Sequence, residues 1–217
     1  MSEELEKKLK ELEGLTDAHL TFCSKMLQAD ESKMFPVDIL AAATIKRSLA
    51  LIQAFTTLVR LQNYTTAASL LRLQLDSCLR LSAAFLVEKP HDMAMEVLSG
   101  KPVRKMKDRN GRFMHDRHLV ESLAPRFEWL PRVYEATSGF IHLSEKHLHS
   151  VFESVEEENS IGLRIAADDE NVPEHLWLEL TEGFQAATDA LFEYLSGWIF
   201  TKANPELVAK MEEEKLC

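Results

Sequence analysis

Apolar residues return at helical spacing along most of this chain, with charged residues between them. Leu5, Leu9, Leu12, Leu15, Leu20 and Met26 predict an amphipathic helix over 3–28. Pro36 at a first-turn position, with Asp38 behind it, opens a second helix running to about Gln62. Asn63 and Thr65 suit a short capped turn, and a third helix then extends to about Glu88, where Pro90 stops it. Two long helices joined so closely must be antiparallel neighbours. The third is apolar nearly all round, the signature of a helix in the middle of a bundle.

Shorter elements follow. A helix from about His91 ends at Gly100, and Asn110-Gly111 marks a turn. Asp116 can cap a helix over 117–123, Pro131 opens another, and Ser144 caps or kinks the chain into a further turn. A strand over Ser160–Ile165 fits a small hairpin near 151–165. Pro173 and Glu174 begin the last long helix, with Trp177, Leu180, Phe184, Ala187, Leu191, Tyr194, Leu195 and Trp198 as its buried stripe. The expected fold is an all-α bundle of about six or seven helices with a small β-hairpin. The division read from the pattern is a charged N-terminal helix (1–30), a bundle domain (31–203) and a charged tail (204–217).

Composition sharpens this. Seven glycines and seven prolines are few for 217 residues, which favours few, long elements. Cys23, Cys78 and Cys217 are far apart and lack metal-type spacing, so reduced thiols and a cytoplasmic location are expected. The charged start has no apolar signal-peptide core, and the longest uncharged apolar run, Ser48–Val59, is shorter than the ~20 residues of a spanning helix. No membrane contact and no cofactor are expected. The net charge of −10 opposes nucleic acid, except through residues 101–118, where seven basic side chains face two acidic ones. That segment reads as a mobile surface loop. The charged first helix is a candidate surface for self-association.

Two rows of polar side chains could carry chemistry. Ser69, Arg72, Asp76 and Arg80 fall on one narrow face of the third helix. The row is either solvated, with ion pairs at i,i+4, or it lines an internal cleft. Tyr134, Ser138 and His142 form a second line, with Gly139 leaving space for a close approach. Facing each other, the rows would make a site for a small or anionic ligand, or a workable acid–base set. His142 is expected to point inward and to bond to the arginine–aspartate row. His115, His118, His142, His147 and His149 lack a metal-ligand pattern, so no metal is expected.

Two resemblances bear on function. Arg109-Asn110-Gly111-Arg112-Phe113-Met114-His115 is similar in spacing to the Arg–His motif of metal-independent ribonucleases of the HEPN superfamily. That likeness implies RNA cleavage by Arg109 and His115. The motif needs a shared helix face, however, and Asn110-Gly111 argues for a turn. The segments Arg72-x-Gln74-x-Asp76-x-x-x-Arg80 and Tyr134-x-x-Thr137-Ser138-Gly139-Phe140-Ile141-His142-Leu143-Ser144 resemble an uncharacterised, mainly bacterial family of helical proteins, a domain of unknown function. That resemblance covers about Phe35 to Thr201 and implies a helical bundle in which these polar residues form a shared feature. It implies no activity.

Overall fold

A computed structural model describes residues 1–153 and 161–207. Four long helices make the body: α1 (Glu3–Gln28), α2 (Pro36–Arg60), α3 (Tyr64–Ser82) and α8 (Glu174–Ala203). Between α3 and α8 come α4 (Pro90–Leu98), α5 (Asp116–Leu123), α6 (Leu130–Ser138) and α7 (Glu145–His149). Two-residue strands β1 (Phe152–Glu153) and β2 (Gly162–Leu163) pair antiparallel, Phe152 opposite Leu163. The architecture is an all-α bundle.

Local chemistry explains the boundaries. Ser2 caps α1 by accepting from the Leu5 amide. Pro36 supplies the fixed φ of a first helical turn, and Asp38 reaches back to accept from the Phe35 amide. At the end of α2 the amides of Gln62 and Asn63 return to the carbonyls of Val59 and Leu58, closing a Schellman turn with Gln62 at φ +54°. The Asn63 side chain then caps α3. α3 ends earlier than the run to Glu88 predicts, because Ala83–Phe85 tightens into a 3₁₀ turn.

The core is one continuous cluster around α3. Phe55 of α2 stacks on Phe184 of α8 at 4.2 Å, and Gly183 lets α8 approach Leu71 closely. α1 is not a separate unit: Leu5, Leu9, Leu12 and Met26 are buried in this cluster against α2 and α8. Its buried side takes in His19, while Leu20 is exposed, because the stripe turns with three- and four-residue steps from Leu12 through Leu15. By length and composition α2 could cross a membrane, but here Val37, Ala41, Ile45, Ile52, Phe55 and Val59 face the bundle core. Most of the expected tail, 208–217, lies outside the described residues.

Two polar groupings are sealed inside the body. His19, Ser48, Gln74 and Thr188, one from each long helix, form a hydrogen-bonded layer. At one end, the fully enclosed Lys202 ammonium donates to Asp38 at 2.9 Å and to the Met26 carbonyl at 2.8 Å. The Trp198 indole donates to the other Asp38 oxygen.

Candidate functional site

The polar row of α3 does not run into solvent; it is covered by α5 and α6. Arg72 is buried, its guanidinium carbon 3.8 Å from the centre of the Tyr134 ring. Its Nη2 donates to the Tyr134 hydroxyl and, at 3.1 Å, to Oδ2 of Asp116. Tyr134 in turn donates to the same oxygen. Arg80 donates to the other oxygen of Asp116 and forms an ion pair with Asp76 at 2.8 Å. Asp76 also accepts from Arg47 of α2 at 2.9 Å. Three guanidinium groups and two carboxylates thus form one half-buried array held by four helices.

Asp116 is the centre of this array, a role the sequence did not reveal. Its position suggested a helix cap, yet it is the first residue of α5 and turns its carboxylate toward α3 instead. Burial pushes the Asp116 carboxyl up, but the hydrogen bond and charge of Arg80, helped by Tyr134 and Arg72, outweigh burial and hold it below the usual range. Burial chiefly raises the Tyr134 phenol. Desolvation works against the Arg80 charge, and Asp76 and Asp116 more than restore it. Arg80 Nη1 is nevertheless buried without a hydrogen-bond acceptor among the described residues. Such an orphaned donor is costly.

The rest of the two rows behaves differently. Ser69 donates to the Phe140 carbonyl at 2.8 Å, tying α3 to the turn after α6. Ser138 bonds back to the carbonyl of Tyr134, within its own helix. His142 does not point inward: it is exposed and forms no hydrogen bond to the arginine–aspartate row. The cause is the end of α6 at Ser138, after which Phe140 and Ile141 bond in tight turns and the helical line is broken. The open side of Gly139 is filled by the Lys146 stem and the Ser144 hydroxyl.

The basic segment is pinned rather than loose. Val103, Met106 and Met114 are buried, and Lys107 bridges to Phe113. Asp108 accepts from the amides of Asn110 and Arg112 and from His118 at 2.8 Å. Burial pushes the Asp108 carboxyl up; those amides and His118 together hold it below its ordinary value. Arg109 spends its guanidinium on the carbonyls of Phe85, Leu86 and Val87. His115 is exposed at the head of α5. Arg109 and His115 therefore do not share a helix face.

No three His, Cys, Asp or Glu side chains converge as metal ligands among the described residues. Lys202 and His19 also escaped sequence reasoning. The signal for Lys202 was its place four residues after Trp198 on the α8 stripe; that for His19 was its place four after Leu15. Comparison with known proteins finds no matching family model, no matching curated protein and no matching solved structure.

Proposed function

We propose that this helical bundle recognises an anionic group, a carboxylate or phosphate on a small ligand, at the face made by Arg72, Arg80 and Tyr134. One observation carries the reading: both arginines aim Nη2 at a single carboxylate, while Arg80 Nη1 stays buried without an acceptor. Paired guanidinium forks are suited to planar oxyanions. With Arg47 and Asp76 included, one positive charge is left over. Asp116 holds the anion position from a short helix, so a ligand anion would displace it or add at the free nitrogen.

The test is thermal melting of the whole chain at low ionic strength with inorganic phosphate or succinate. Wild-type protein should melt higher in at least one of them, and Asp116→Asn should respond more strongly because the internal competitor is weakened. An anion at a hundred times its Kd stabilises by ~2.7 kcal/mol. No shift in either protein would overturn the reading. The ribonuclease alternative has less support, since Arg109 and His115 do not share a helix face. It predicts cleavage of mixed RNA in chelator that vanishes with His115→Ala. The self-association alternative is weakened by the burial of Leu5, Leu9 and Leu12 within the same chain.

A further inference from the structure

A cavity lies away from that cluster and shares no residue with it. It measures about 860 Å³ and opens between the end of α8, the start of α4 and the turn after α3. Phe85, Pro90, Trp198, Phe200 and Leu207 supply apolar walls. The polar lining divides in two: Glu88, Arg109 and Asn110 are exposed, while Trp198 and Thr201 already have partners. The Trp198 indole donates to Asp38, and the Thr201 hydroxyl donates to the Gly197 carbonyl. An occupant's portion lying between the apolar walls, Trp198 and Thr201 therefore meets no unsatisfied polar partner and must be apolar.

The rim has a different character. Arg109 lines this cavity and also a neighbouring open cleft that includes Lys89, Lys105 and Lys107. Within that cleft Lys101 is paired with Glu96, and Asp108 with His118. Among the described residues no carboxylate lies within salt-bridge distance of Lys89, Lys105, Lys107 or Arg109, leaving four cations against Glu88 and Asp92. This is a local positive excess on a chain whose net charge is −10. The Arg109 Nε and Nη2 bonds to three carbonyls hold its guanidinium in place, so the charge at the mouth is fixed before any ligand arrives.

We propose that this pocket binds an amphiphile, with an apolar chain or ring inside and a carboxylate or phosphate head on Arg109 and the adjoining lysines. The volume lies in the range of small-molecule sites, and the division between a satisfied apolar interior and a cationic rim sets the ligand's polarity.

Full-length protein titrated calorimetrically with dodecanoate, dodecyl phosphate, dodecanol and dodecyltrimethylammonium, each below its aggregation concentration, tests this. The tighter of the two anions should bind roughly tenfold more tightly than the alcohol, with the cation weakest. Comparing the two anions identifies the preferred head. Gly197→Leu projects a side chain into the cavity from a helical position whose Cβ meets Phe85 only at ordinary contact distance, 3.5 Å. It should weaken every probe by about tenfold or more without lowering the melting temperature, since leucine is the better helix former. Arg109→Gln should remove the preference for anions. Because Arg109 also caps carbonyls, the Lys105→Gln, Lys107→Gln double variant gives an independent reading of the same loss. The proposal fails if no probe binds, if the ammonium probe binds as tightly as the anions, or if Gly197→Leu leaves affinity unchanged.

Discussion

Lys202 continues the buried side of α8 one turn past Trp198, and its ammonium group has no exposed surface. A charge so placed needs a partner, and Asp38 supplies it across the end of the bundle. Asp38 is itself held by the Phe35 amide and the Trp198 indole, so the pair ties the start of α2 to the end of α8, and the Met26 carbonyl adds the end of α1. Replacing Lys202 with Met should therefore cost about 3–5 kcal/mol in a urea melt, because it strands a buried carboxylate. The double change Asp38→Asn, Lys202→Met should recover much of that loss. If the two changes simply add, the ion pair is not what couples these positions. Single residues of this kind are hard to read in a sequence. A lysine near a helix end usually faces water, and only the continuation of the Leu191–Leu195–Trp198 spacing marks Lys202 as inward.

Elements were legible where covalent constraints punctuate them. Pro36, Asn63, Pro90 and Glu174 each stand at or beside a helix boundary, because a fixed φ, a capping oxygen or an acidic first turn acts locally. The ends of α3 and α6 depended instead on tertiary fit, and periodicity overran both. That overrun produced the expectation for His142: an i+8 line has meaning only while the helix lasts. The same reason hid Asp116, whose arginine partners are 36 and 44 residues away. Whether the two rows face each other was left open by the sequence; Arg72 and Tyr134 meet because each lies inside its helix, whereas His142 lies past the end of α6. The α2–α3 turn carries a test of its own. Gln62 fills the left-handed position of a Schellman turn, where glycine is the unstrained residue. Gln62→Gly should stabilise the protein by roughly 0.5–1 kcal/mol, seen as a higher urea midpoint with an unchanged slope, because relief of the strain outweighs the added chain entropy. A lower midpoint would show that the Gln62 side chain contributes more than its backbone strain costs.

Across the whole molecule, the layer of His19, Ser48, Gln74 and Thr188 joins all four long helices at the middle of the core. Its hydrogen bonds run in one direction. The His19 Nδ1 lies 2.7 Å from the Leu15 carbonyl, so that nitrogen carries the proton and Nε2 accepts from the Ser48 hydroxyl. Ser48 in turn accepts from the Gln74 amide, which also donates to Thr188. Although a serine beside a histidine suggests a nucleophile and its base, both are fully enclosed, and a backbone carbonyl stands where a carboxylate would orient the ring. The layer fixes the alignment of the helices instead. Protonating His19 would turn Nε2 into a second donor and leave the Ser48 proton without its acceptor. Burial accordingly lowers the His19 pKa, with the Leu15 carbonyl opposing it less strongly. The unfolded chain then takes up a proton more readily than the folded one. Stability is full above the ordinary imidazole range, near pH 6.5, and declines as pH falls through it toward the lowered folded value. For one proton the slope cannot exceed about 1.4 kcal/mol per pH unit. Urea melts of wild type and His19→Gln between pH 7.5 and pH 5 isolate this contribution from the other histidines. The wild type should lose more stability than the variant over that interval. Parallel curves would mean that His19 is protonated as easily inside the bundle as outside, and that the layer does not depend on its neutral form.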